Sequence, residues 1–282
     1  MIKLEKPIYD QEQIIDDCIS NMVDKADSPK SRILASKQTI IDKSKEYDNL
    51  ATVGKLSSLS PSSNVDGGAT KNDMTKLYTN KFASQNQGGR KYYDKIKLLA
   101  PYGKCPLCGQ RLVSTLDHYL PKSSFPLYSI TPYNLIPCCS DCNKDKHAIV
   151  PSSRIEETIH PYYDDFTDAT WIKAKLIKGD PITFEFYVVK PSNWDDLKYK
   201  RACFHFKEYN LNKLYKPYAC EKFACVLPGL RKLVASAGKA AAIESIKERI
   251  EEERVLQLNT WQAAFYEAIL DSDWFWNEYL SE

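Results

Sequence analysis

No apolar run in this chain approaches the roughly 18 residues needed to cross a membrane, so a membrane-spanning protein is set aside. No stretch has the basic, then apolar, then small-residue order of a signal peptide. The chain is therefore expected in the reducing prokaryotic cytoplasm, where cysteine pairs seldom form disulfides. No internal repeat is found. Charge of one sign is also missing: 39 Lys and Arg against 37 Asp and Glu leave a net charge of +2 over 282 residues. Any affinity for nucleic acid must then come from a local patch rather than from the whole surface.

Cysteine, by contrast, is arranged. Cys105-x-x-Cys108 and Cys139-x-x-Cys142 form two pairs with 30 residues between them. Two such knuckles at domain-scale separation point to one tetrahedral zinc site with four thiolate ligands, Cys105, Cys108, Cys139 and Cys142. Cys138 competes with its neighbour, but Cys139 has the two-residue spacing.

Between and just after the knuckles lie Asp117-His118, Asn134 and Asn143, in "TLDHYLP", "PYNLIP" and "CCSDCNKDKHAI". This order inside a cysteine frame resembles the HNH endonuclease family over about 45 residues. The resemblance implies a ββα-metal unit: a strand delivering Asp-His, a loop carrying the middle Asn, and a helix supplying the last ligand. Asn143 stands where that last residue is often His. His147, four residues on, is held in reserve as a ligand on the same helix face.

The resemblance assigns chemistry to these positions. His118 would be the general base, with its Nδ1 proton held by an acceptor so that Nε2 faces the attacking water. Asp117 and Asn143 would hold Mg²⁺ or Mn²⁺ through hard oxygen atoms, and Asn134 would orient the site and its loop. Neighbours on a strand point to opposite faces, so Asp117 and His118 can converge only where the strand ends, near Pro121.

Residues 76–104 have seven basic side chains against one acid, a balance of +6, with Tyr78, Phe82, Tyr92, Tyr93 and Tyr102 interleaved. Beside a nuclease motif this suits a surface that follows phosphates and stacks bases. Arg90 and Lys91, after the Gly88-Gly89 turn, are the candidate contacts there, and Lys122 and Lys146 are those within the motif.

The flanks carry less chemistry. Residues 1–55 show two helical patterns and form a helical arm. Residues 56–75, rich in Ser, Gly, Pro and Asn, are expected as a flexible linker and domain boundary. A nuclease domain then covers 76–165, in which His160 of "HPYYDDF" is expected to be a buried, hydrogen-bonded histidine. Region 166–282 holds a β-hairpin over 171–190 and is helical from about Asp195. Its last 42 residues balance to −7 and should avoid nucleic acid, while Trp261, Phe265, Tyr266, Trp274, Phe275 and Trp276 either close the core or dock a partner.

The fold expected is thus α+β, a zinc-stapled ββα-metal core with an N-terminal helical arm and a mainly helical C-terminal region. The function expected is metal-dependent hydrolysis of a phosphodiester, in DNA before RNA, leaving 5′-phosphate and 3′-hydroxyl ends. The resemblance extends to effectors of bacterial defence against phage or to restriction enzymes, with a separate ATPase or sensor protein as partner through the C-terminal aromatic helices. A ribonuclease acting on tRNA and a non-catalytic zinc-ribbon binding module are the alternatives.

Overall fold

In the computed structural model, residues 1–62, 65 and 68–280 are described. They divide into two compact units, residues 2–165 and Met1 with the residues from Phe166 onward.

In residues 2–165 the helices α1 (Gln11–Ile19), α2 (Pro29–Ala35) and α3 (Lys37–Thr52) lead into α4 (Lys71–Leu77), a π-helical turn (Tyr78–Phe82) and α5 (Arg90–Lys97). Caps fix where these helices start. Asp10 accepts from Glu12 N and Ser28 from Ser31 N, while Thr70 and Asp73 cap each other across α4's first turn. Strands β1 (Thr115–His118) and β2 (Leu135–Cys138) pair antiparallel, with Asp117 opposite Ile136 and His118 opposite Leu135. Helix α6 (Ser140–Asp145) follows directly.

One apolar cluster joins these pieces. Ile14, Ile15 and Cys18 of α1, Ile33, Ile40, Phe82, Tyr93 and Ile96 pack with Leu116 and Leu135 of the strands. The N-terminal helices are therefore part of the same core as β1 and β2, not a separate arm. They are needed because two four-residue strands cannot cover a core of their own.

The expected flexible linker is also corrected. Leu56 and Ala69 are buried, Ala69 N donates to Ser36 Oγ, and Arg32 pairs with Asp73. The part of that expectation falling on residues 63, 64, 66 and 67 lies outside the described residues. Gly88 and Gly89 serve close approach: a Cβ on Gly89 would lie 2.6 Å from Cys18 Sγ, and one on Gly88 2.0 Å from Asp17 O.

The second unit contains the hairpin β3 (Ile172–Ile177) and β4 (Thr183–Val188), then α7 (Asp196–Glu208), α8 (Leu211–Leu256) and α9 (Trp261–Leu270). Helix α8 is broken at Gly238, where φ is 85°. The alternation of β3 and β4 turns Ile172, Ala174, Phe184 and Phe186 inward. Phe184 meets Phe223 of α8 and Phe265 of α9, and Phe275 meets Phe223. Trp261, Phe265, Tyr266, Phe275 and Trp276 are buried and close the core of this unit, while Trp274 stays half-buried. No helix among the described residues is long and apolar enough to cross a membrane.

Candidate active site

The four motif cysteines come together. Their Sγ atoms all lie within 4.8 Å of one another and all four residues are buried. A zinc ion with Zn–S bonds of about 2.3 Å needs sulfurs roughly 3.8 Å apart, so the cluster fits a tetrahedral site of four thiolates. The first knuckle is a tight turn in which Gly109 N donates to Cys105 O and Cys105 N to Arg111 O. Gly109, at φ 67°, takes the left-handed backbone this turn requires. The second knuckle is the start of α6, where Cys139 Sγ accepts from Cys142 N. Hydrogen bonds from the other three cysteines hold the Cys108 thiol below its usual range. Cys138 stays outside this cluster, on β2 with Ser114 N on its carbonyl.

Asp117 and His118 end strand β1, and both are buried. His118 Nε2 lies 2.9 Å from Ser129 O, and a carbonyl can only accept, so Nε2 carries the proton. This reverses the tautomer expected from the sequence. Nδ1 has no protein hydrogen bond among the described residues and is the lone pair left for water. Tyr78 stands edge-on to the imidazole, ring centroids 4.3 Å apart. Burial, with the charges of Lys122 and Lys146 and against the Ser129 carbonyl, pushes the His118 pKa down to about 3. The ring is therefore neutral around pH 7.

Asn134 is fully buried and satisfied at both ends of its amide. Its Oδ1 accepts from Leu120 N at 2.7 Å, while Nδ2 donates to Leu120 O at 3.0 Å and Tyr128 O at 3.1 Å. It clips the chain just past β1 to the segment that supplies Ser129. A fourth bond, Tyr119 N to Asn134 O, closes the same loop. Asn134 thus braces the segment after His118 through the backbone, with its amide engaged by Leu120 and Tyr128.

Lys146 is corrected from a nucleic-acid contact to a buried group. It is 4% exposed, and its ammonium donates to Asp117 Oδ2 at 3.1 Å and His118 O at 2.6 Å. Asp117 is raised by burial, an effect that Lys146 opposes. Lys122 differs. It is half-buried, 5.2 Å over the Tyr78 ring, with no hydrogen bond or ion pair among the described residues.

Asn143 sits on α6, half-buried, and its amide also lacks a side-chain hydrogen bond there. His147 is not on that helix. Helix α6 ends at Asp145, and His147 follows in the left-handed region at φ 52°, exposed. The basic stretch is largely engaged elsewhere. Arg90 stacks on Tyr93 and pairs with Asp94, and Lys91 pairs with Asp17 at 2.7 Å. Tyr78, Phe82, Tyr92 and Tyr93 are core residues, which leaves Tyr102 as the exposed aromatic of that set. Ser129 and the burial of Lys146 had no signal in the sequence, because a backbone carbonyl can belong to any residue and a lysine near a nuclease motif suggests phosphate.

His160, as expected, is a buried histidine in a tyrosine cage: its Nε2 lies 3.1 Å from Tyr47 Oη, and its Nδ1 accepts from Tyr162 N. Of the Asp117 carboxylate oxygens Lys146 engages Oδ2, and the His118 backbone N–H also bonds the carboxylate.

Comparison with known proteins gives one distant relative. Protein ea31 of Escherichia phage lambda is 28% identical over 295 residues, covering 98% of this chain and 99% of that protein. No protein-family model matches the chain, and no solved structure matches it.

Proposed function

We propose that this chain is a zinc-stapled HNH-type endonuclease that hydrolyses phosphodiester bonds in DNA. The observation that carries the reading is the state of His118, a neutral ring with Nε2 fixed by Ser129 O and no protein hydrogen bond on Nδ1 among the described residues. Buried histidines kept only for packing commonly have both nitrogens satisfied, as His160 does.

In the proposed reaction His118 Nδ1 takes a proton from water as the water oxygen bonds to phosphorus. The P–O3′ bond breaks, leaving a 5′-phosphate, and the 3′-oxygen takes a proton from solvent. Mg²⁺ or Mn²⁺, held by Asp117 and Asn143, would offset charge on the phosphorane and the leaving oxygen. Lys122, whose charge acts on both Asp117 and His118 and whose ammonium has no ion pair among the described residues, would meet the scissile phosphate. Asn134 keeps the base aimed and excludes slack at the end of β1. Zinc would hold α6 against β1 and β2 and take no part in the reaction.

The test is nicking of supercoiled plasmid with Mn²⁺ or Mg²⁺, run beside tRNA. Wild type should nick the plasmid, and His118→Ala should lower the rate by at least about a hundredfold, the scale of general-base catalysis, with zinc content unchanged. Cleavage of tRNA alone would make the enzyme a ribonuclease. Binding without cleavage of either would make the fold a zinc-ribbon module. A role in defence against phage or in restriction, a prokaryotic cytoplasmic location and an ATPase or sensor partner belong to this proposal by analogy with some HNH nucleases alone.

A further inference from the structure

We propose that Lys146 is a positioning residue of this site, a built-in cation that occupies one oxygen of Asp117 and leaves the other for a divalent ion. A solvated lysine near a nuclease motif would be free to meet phosphate. Lys146 is instead almost wholly buried and spends its ammonium on protein acceptors, Asp117 Oδ2 and His118 O. The ring of Tyr119 lies 5.8 Å away and adds a third favourable contact.

The reach is set by the zinc frame. Lys146 N donates to Cys142 O, so the two residues are one turn apart on the same side of α6. The helix face that sends a thiolate into the cysteine cluster sends the ammonium to the end of β1. Lys146 therefore ties α6 to the two adjacent residues that carry the chemistry, through a carboxylate on one and a carbonyl on the next. Lys122, whose ammonium has no such acceptor, keeps the phosphate role.

Two effects of opposite sign follow. Removing the ammonium frees Asp117 to rotate and loosens the His118 backbone, which slows cleavage. It also removes a positive charge next to the cation's ligand, which strengthens cation binding. A group that only stabilised the fold would not tighten a metal while slowing the reaction. One that contacted substrate would raise KM.

The experiment uses full-length, zinc-loaded protein and titrates Mn²⁺ calorimetrically into wild type, Lys146→Arg and Lys146→Met. Lys146→Met should bind Mn²⁺ at least about tenfold more tightly, the scale of a nearby partly buried charge. Its kcat on plasmid should fall at least about thirtyfold with KM for DNA within about twofold, and Lys146→Arg should lie between. Because Lys146→Met leaves a buried carboxylate unpaired, Lys146→Met/Asp117→Asn is compared by thermal melting. The double variant should recover most of the loss in melting temperature seen in the single variant.

Failure of the double variant to recover stability overturns the proposal, as does unchanged or weaker Mn²⁺ binding in folded Lys146→Met. A raised KM with kcat intact would return Lys146 to the phosphate surface. The activity arm rests on the nuclease reading, whereas the Mn²⁺ and melting arms do not. An inactive wild type whose Lys146→Met variant binds Mn²⁺ more tightly would end the nuclease reading and keep the proposal. If neither protein bound Mn²⁺, the proposal would fall.

Discussion

The two antiparallel strand pairs among the described residues, four and six residues to a strand, are opposite in chemistry. β3 and β4 bury Phe184 and Phe186 against aromatic residues of α8 and α9, and leave charged pairs such as Lys175 opposite Glu185 exposed. β1 and β2 bury Asp117, His118 and, just before β2, Asn134, with the Lys146 ammonium on Asp117. Apolar burial stabilises the first without direction, so its residues can be exchanged for others of similar volume. Buried polar groups stabilise the second only if every partner is in place. Such a hairpin is poor at holding itself together and good at holding an imidazole and a carboxylate still, so it draws stability from the cysteine cluster and the N-terminal helices.

The sharpest way to break this contrast is to remove the metal. Cys142→Ser, or chelation of the wild type, should cost residues 2–165 their cooperative fold, since zinc bound to small domains supplies roughly 10–16 kcal/mol of apparent folding free energy. Limited proteolysis should cut within residues 2–165 and spare the unit from Phe166 onward, and wild type should carry one zinc by elemental analysis. Equal digestion of both units, or a stable zinc-free Cys142→Ser protein, would show that the β1–β2 unit does not depend on the cluster.

The converse change is smaller. Phe184→Ala should destabilise the β3–β4 unit by about 3–5 kcal/mol, the usual cost of emptying a buried phenylalanine site. Zinc content should not change. Loss of zinc in Phe184→Ala, measured on purified protein, would mean that the two units fold as one.

The smallest effect expected is an acid-sensitive pair that anchors the N-terminal helices. Arg32 makes two hydrogen bonds to Asp73, and these, opposed by burial and helped by Thr70, bring the Asp73 pKa down to about 2. A carboxylate depressed in the folded state stabilises it above its ordinary value near 4, and that contribution is lost as pH falls from 4 to 2. Asp73→Asn should therefore cost about 2 kcal/mol at pH 7 and almost nothing near pH 2, as read by urea unfolding at both pH values. A pH-independent cost would assign Asp73 a capping role alone.

What the sequence determined by itself is the chemistry that depends on spacing. Two Cys-x-x-Cys turns must present paired thiolates, and Asp117-His118 ahead of Pro121 must end a strand. The alternation of residues 171–190 must make a hairpin with one apolar face. Side-chain type and local period settle each of these without reference to the rest of the chain.

The tertiary structure decided what depends on residues far apart. Ser129 reaches His118 across 11 positions and fixes which nitrogen carries the proton, and Lys146 reaches Asp117 across 29. A basic and aromatic stretch became core because α1 and the strands offered Tyr92, Tyr93 and Phe82 an apolar partner. A run of C-terminal aromatics became the inside of a second unit because β3 and β4 supplied the opposite wall. Burial and electrostatic pairing belong to three-dimensional neighbours, and no residue's own identity encodes them.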